Sequence, residues 1–257
     1  VEYRQLRAKI SKYLDTDMEY IEVGNGSVEI IDMVISFFSR VFIFEPSFSE
    51  YRLRAEVHGL DIVSIDLDKS FEFTLDKLEG LREGDLIIIT NPSNPTGKTL
   101  TKEILEEIYL KVVDVNAYLL LDEAFFEFSD LDYDSVKLFK KLAYSNVGIV
   151  RAMTKFFGLP GIRLGYGVFE KDIIEKFSKK RLPWSVNSFA VNSSDILFNK
   201  DYIEKSYKYV KEAREILFNN LKSIKGISPV ESNANFLLLK IDGVSEDYIF
   251  RELLDRD

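Results

Sequence analysis

The stretch DLIIITNPSNPTGKTL, residues 85–100, decides how the rest of the chain reads. Four consecutive apolar residues, Leu86 to Ile89, show no polar alternation, which predicts a strand covered on both faces. They run straight into a loop holding two Asn-Pro pairs and Gly97, a composition that fixes an irregular backbone. Helical spacing then resumes in TKEILEEIYLKV (101–112). A strand whose carboxyl end delivers a polar loop into a helix is the place where open α/β sheets form ligand crevices. The same rhythm extends outward. Apolar runs VFIFE (41–45), DIVSI (61–65), AYLLLD (117–122) and NVGIV (146–150) predict further strands, with helices over SVEIIDMVISFF (27–38) and SFSEYRLRAEVHG (47–59). Strands alternating with helices predict an α/β domain with a mainly parallel sheet.

After about residue 190 the character changes. Residues 201–223 carry helical apolar spacing, ISPVESNANFLLLKI (227–241) reads as a strand, and SEDYIFRELLD (245–255) reads as a helix. The expected division is a large domain over 1–190 and part of a smaller α+β domain over 191–257, with the boundary soft between 185 and 200.

Composition removes whole classes of chemistry. The chain has 257 residues, 34 basic and 43 acidic, for a net charge of -9. That balance argues against nucleic acid or an anionic membrane as the main partner. Cys is absent and His58 is the single histidine, so thiolate nucleophiles, Ser-His-Asp triads and multi-histidine metal sites have nothing to build on. No metal site is expected. No apolar run approaches the ~20 residues of a membrane helix, and the start, VEYRQLRAKI, is charged unlike a signal peptide. A cytoplasmic protein is expected. Any catalysis must rest on Lys, Asp, Tyr or a cofactor.

Four stretches could carry such catalysis, and each also has a plain structural reading. TNPSNPTGKTL (90–100) points amides into a crevice, or is a rigid turn. LLLDEAFFEF (119–128) sets Asp122 at the end of an apolar strand, where burial is costly without a partner, or where it caps the next helix. RAMTKFFGLPGIRLGYG (151–167) carries Thr154, Lys155 and Arg163. A lysine in an apolar pocket near a cation has a lowered amine pKa and suits a Schiff base; otherwise it is one more solvated lysine. VGNGSVEII (23–31) leads glycines into a helix whose free N–H groups attract anions, though Gly-x-Gly-Ser alone is weak. Phe156, Phe157, Tyr166 and Leu237–Leu239 read as core, His58 as a surface or capping residue, and residues 69–85 as a solvated segment. No Gly-x-Gly-x-x-Gly follows the first strand, against a dinucleotide enzyme.

Taken in order, NPSNPTG, DEAF and TKFFGLPGIRLGYG form a specific set that resembles the fold-type I pyridoxal-phosphate enzymes, class I/II aminotransferases. Within these the chain is most similar to the histidinol-phosphate aminotransferase and threonine-phosphate decarboxylase group, over nearly its whole length. The resemblance implies pyridoxal 5'-phosphate as cofactor, with Lys155 as the Schiff-base lysine and proton shuttle and Asp122 opposite the pyridine nitrogen. It implies Asn94 as donor to the ring oxygen, Phe48 stacked on the ring, and Gly26, Ser27, Thr154 and Arg163 around the phosphate. Partners implied are a phosphorylated amino substrate, a 2-oxo acid such as 2-oxoglutarate, and a second copy in a homodimer. Transamination ranks ahead of threonine-phosphate decarboxylation, and a non-catalytic cofactor-binding homologue comes third.

Three departures accompany the resemblance. Phe125 stands where relatives carry a tyrosine that reaches the ring oxygen, and with PWSVN (183–187) it leans towards the decarboxylase branch. The chain begins at Val1, after the relatives' tyrosine that reaches the partner subunit's phosphate. It ends at Asp257, before their arginine for the substrate carboxylate, so an incomplete substrate anchor is expected.

Overall fold

A computed structural model describes residues 3–193 and 197–255; Val1, Asp257 and part of the expected 185–200 boundary lie outside the described residues. In chain order the first elements are α1 (Arg4–Leu14), β1 (Ile21–Asn25), α2 (Ser27–Ile35), β2 (Arg40–Glu45), α3 (Glu50–Val57) and β3 (Asp61–Asp66). Then come β4 (Leu86–Thr90), α4 (Lys102–Asp114), β5 (Tyr118–Asp122), α5 (Ser135–Lys140), β6 (Val147–Ala152) and the short α6 (Met153–Phe156). The chain continues through β7 (Leu164–Val168), α7 (Lys171–Lys180), α8 (Ser188–Ser193), α9 (Lys200–Lys222), β8 (Ile227–Pro229), β9 (Leu239–Ile241) and α10 (Glu246–Leu254).

Seven strands form one sheet in the order β1-β7-β6-β5-β4-β2-β3. The five from β6 to β3 run parallel, whereas β7 is antiparallel to both β6 and β1. The pleat explains why the central strands are apolar throughout. Leu119 and Leu121 of β5 pack with α1, α4 and α5, while Tyr118 and Leu120 pack with α2, α3 and α7 on the other face. Each fully buried Leu or Ile there contributes about 1.5–3 kcal/mol. Edge strand β3 is the exception: its side chains are half-buried or exposed.

Three expectations need correction. Residues 69–85 are not simply solvated: Leu78 is fully buried and Phe73 packs on Phe44 with ring centroids 4.8 Å apart. The apolar side chains interleaved with its charges cover the flank of the sheet between β3 and β4. The single strand read over 227–241 is two short strands, β8 and β9, paired antiparallel from Ile227↔Ile241 to Pro229↔Leu239. The residues between them form a loop that reaches back to the large sheet, leaving Leu237–Leu239 half-buried instead of core. Phe156, Phe157 and Tyr166 do lie in the core. His58 ends α3, with Nε2 2.8 Å from Asp32 Oδ1 on α2.

Candidate active site

The carboxyl ends of β4, β5 and β6 converge with the turns that follow β1 and β2. Between them lies a cavity of about 150 Å³. Gly26, Ser27, Phe48, Asn94, Asp122, Thr154, Lys155 and Arg163 all line it, so the structure brings together every residue singled out from sequence for cofactor binding.

Each arrives by a local rule. Asp122 closes β5 and is 4% exposed. Its Oδ2 accepts a hydrogen bond from the Tyr51 hydroxyl at 2.6 Å, and its Oδ1 accepts one from the Ala124 N–H at 3.0 Å. Burial pushes the carboxyl pKa up, and those two hydrogen bonds pull it back. The Ala124 contact makes Asp122 the anchor of a tight turn, not the cap of a regular helix. Gly26 precedes α2 at φ +84°, a region that glycine enters freely. A Cβ at Gly26 would sit 2.6 Å from Arg163 Nη2, so the guanidinium packs directly over the bare Cα. No side chain caps α2, and Gly26, Ser27 and Val28 face the cavity. Free first-turn N–H groups beside a guanidinium make an anion cradle. Arg163 itself adopts φ 55°, ψ 58°, a left-handed conformation that costs a non-glycine residue about 1 kcal/mol.

Lys155 differs from expectation in its surroundings. It sits at the open mouth of the cavity and is exposed, not enclosed by apolar groups. The cause is the one-turn helix α6, in which Met153 and Phe156 take the buried side. Thr154 and Lys155 are therefore left facing the cavity. The nearest ring is that of Phe125, whose centroid is 5.9 Å from Nζ.

One polar cavity residue, Tyr51, escaped the sequence reading. Tyr51 is fully buried, its hydroxyl also bonding Thr90 Oγ1 at 2.8 Å. Phe48 meets it edge-on at 5.5 Å. The i, i+3 spacing of Phe48 and Tyr51 at a helix start was the available signal. Behind the cavity a buried ionic cluster was also missed. Arg151 is 2% exposed and donates through Nε to Glu123 Oε2 at 2.9 Å and through Nη2 to Asp134 Oδ1 at 2.7 Å. Its guanidinium covers the Phe126 ring at 3.6 Å. The cluster ties the segment after β5 to β6, and so fixes the two strand ends that present Asp122 and Lys155. Glu127 is buried beside it, and burial raises its carboxyl pKa to about 7.

A family model for class I and II aminotransferases matches residues 2–257. A protein of Caldanaerobacter subterraneus subsp. tengcongensis, provisionally named threonine-phosphate decarboxylase, is 34% identical over 264 residues, covering 100% of this chain and 71% of that protein. The histidinol-phosphate aminotransferase of Methanococcus aeolicus is 32% identical, covering 98% of this chain and 69% of its own. Among solved structures, the histidinol-phosphate aminotransferase of Clostridium acetobutylicum superposes with a TM-score of 0.92 at 33% identity, over 99% of this chain and 77% of that one. Family, fold and cavity agree: the chain belongs to the class I and II aminotransferases, pyridoxal-phosphate-dependent enzymes of fold type I.

Proposed function

We propose that the cavity binds pyridoxal 5'-phosphate and that the protein is a histidinol-phosphate-type aminotransferase, moving an amino group between a phosphorylated amino substrate and 2-oxoglutarate. The observation that carries this reading is the division of labour within one cavity. A lysine amine stands at the mouth, a buried carboxylate at the floor, and an anion cradle where the Arg163 guanidinium covers Gly26. A flat, phosphorylated, nitrogen-containing ring matches that set of groups end to end.

In this reading the Ser27 N–H group, the Thr154 hydroxyl and Arg163 hold the phosphate beside the bare Cα of Gly26, whose own N–H is bonded to the Gly24 carbonyl at 2.8 Å, while Phe48 covers the ring and Asn94 donates to the ring oxygen. Asp122 holds a proton at the ring nitrogen. Opposite charges ~4 Å apart at an effective dielectric near 20 gain about 4 kcal/mol, or ~3 pK units. When bound, the cofactor supplies an electron sink for bonds at the substrate's Cα. Lys155 Nζ takes and returns the proton at that carbon, and its exposed position leaves it free to swing between partners. Residues 1–190 carry the cofactor groups, and residues 191–257 form part of a second unit. A homodimer and a cytoplasmic location come with the family resemblance.

A second reading, threonine-phosphate decarboxylation, is favoured by Phe125, whose ring offers no hydroxyl to the cavity, and by the name of the Caldanaerobacter relative. Spectral titration separates them. Under the first reading, glutamate shifts the cofactor's absorbance band and Lys155→Ala abolishes turnover. Carbon dioxide release from threonine phosphate with no 2-oxo acid present, and no response to glutamate, would select the second. A protein that holds cofactor yet turns over neither substrate would instead be a non-catalytic homologue.

A further inference from the structure

The loop between β8 and β9 is bonded to the cavity wall from outside. The Asn233 N–H donates to the Gly97 carbonyl at 2.7 Å, and its Nδ2 donates to Thr99 Oγ1 at 3.2 Å. Its Oδ1 accepts from the Asp130 N–H at 3.4 Å. One short side chain thereby joins the loop that leaves β4 to the segment that leaves β5. Those are the two neighbouring strands whose continuations carry Asn94 and Phe125 into the cavity. Gly97 makes the approach possible, because a Cβ there would overlap the Ser232 side chain. Asp130 is itself held by Tyr207, by Lys211 Nζ at 2.9 Å and by Arg214 Nη2 at 3.1 Å, all from α9. Arg214 Nη1 also donates to the carbonyls of Phe128 and Ala234, at 3.2 and 3.1 Å. Phe236, three residues past Asn233, meets Phe125 edge-on at 5.1 Å.

We infer that Asn233 is a positioning residue for the cofactor site: it clamps the Asn94 loop and the Phe125 segment in register without lining the cavity. This rests on the pyridoxal-phosphate reading above. The chemistry of asparagine suits the role, since an amide supplies a donor to one loop and an acceptor to the other from a single stem. The two bonds it makes join segments that approach from different strands, so losing them lets the walls drift apart while each strand keeps its own ladder. A drift of that kind weakens a ligand held by both walls far more than it weakens the fold.

The test is equilibrium binding of pyridoxal phosphate to the cofactor-free protein, followed by ultrafiltration, alongside its melting temperature. Asn233→Ala is expected to raise the dissociation constant about tenfold while moving the cofactor-free melting temperature by less than about 3 °C. Thr99→Val attacks the same clamp from the other side. It is expected to raise the dissociation constant too, and the double variant to bind no more weakly than Asn233→Ala alone. Glu231→Ala, exposed on the same loop, should leave binding unchanged. Wild-type affinity in both Asn233→Ala and Thr99→Val overturns the inference and leaves the cofactor reading intact. If Asn233→Ala does not fold, unchanged binding by Thr99→Val alone overturns it. A wild-type protein that fails to bind pyridoxal phosphate overturns the cofactor reading and this inference together.

Discussion

The Tyr51 hydroxyl stands 2.6 Å from Asp122 Oδ2 and 2.8 Å from Thr90 Oγ1, joining α3 to the ends of β4 and β5 beneath the cavity. Geometry and electrostatics agree on its effect. Burial raises the Asp122 pKa, and the Tyr51 hydrogen bond is the first of the contacts opposing that rise. The phenol in turn is held neutral, its own pKa pushed well up by burial and by the carboxylate beside it. Tyr51 therefore acts as a fixed donor that favours the ionised form of Asp122 and aims the carboxyl.

Tyr51→Phe should expose that dependence. Without the donor, Asp122 requires a higher pH to ionise, so the acid limb of the kcat/KM profile is expected to move to higher pH. A hydrogen bond to a charged group is worth about 1.5–3 kcal/mol, so kcat at neutral pH is expected to fall roughly tenfold or more. A profile superimposable on wild type would show that Tyr51 only fills space.

Glu127 offers a pH dependence of stability with a definite sign. Its carboxyl is buried and its pKa is raised from 4.5 to about 7, chiefly by desolvation, with Glu123 and Asp134 adding to the rise and Arg151 opposing it. Tyr13 and Tyr166 face the same cluster. The folded state thus binds a proton that the unfolded state has already released between those values. Its contribution is full below pH 4.5 and is lost as the pH climbs through about 7. Glu127→Gln should be close to neutral at pH 5 and stabilising at pH 8, by up to about 3 kcal/mol. Urea denaturation at the two values measures the difference. Equal gains at both would mean that Glu127 does not titrate in this range.

Among the described residues Arg151 is the one cation of that cluster, with Glu123 fully buried against it. Removing one member of a buried pair strands the other, at a cost of about 3–5 kcal/mol. Arg151→Met preserves volume and removes charge, so the loss it produces reports the stranded carboxylates and not a void. Denaturant unfolding at neutral pH is expected to show a drop of that size. Because the carboxylates become neutral at lower pH, the deficit should shrink on acidification.

What the sequence disclosed and what it hid follow from the range of the interactions involved. The central strands were legible because both faces of β4, β5 and β6 are covered, so their residues are apolar without alternation. The stretches holding the cavity residues were legible where backbone chemistry leaves a local mark, the proline-rich loop for Asn94 and the glycines before α2 for Gly26 and Ser27, while Phe48 and the individual roles came from the family resemblance. Lys155 could be placed in the cavity, but its exposure depends on how one turn of helix divides Met153 and Phe156 from it. Strand β7 was not anticipated. Its glycines, in LGYGV, weaken the apolar signal, and its antiparallel place between β1 and β6 is set by partners far along the chain. Arg151 and Asn233 were invisible for the same reason: the first reads as an ordinary charge and the second as a loop residue until distant partners are brought alongside.

Under the proposed function, Gly26 serves the phosphate end of the cavity and not the lysine or carboxylate end, which permits a selective test. An alanine there must adopt φ +84° and drive its Cβ into the Arg163 guanidinium, 2.6 Å away. The backbone strain costs about 1–3 kcal/mol, and the end of the arginine side chain is flexible enough to swing aside, so the fold is expected to survive. The anion site does not: the guanidinium is displaced and the approach to the α2 N–H groups is narrowed. Gly26→Ala is therefore expected to weaken binding of pyridoxal 5'-phosphate by about tenfold or more. Binding of unphosphorylated pyridoxal, which depends on the Lys155 amine and the Asp122 carboxylate, should change less than about twofold. The ratio of the two dissociation constants measures the cradle alone. A parallel loss for both ligands would mean that Gly26 shapes the cavity as a whole, and a phosphate site elsewhere on its wall would have to be sought.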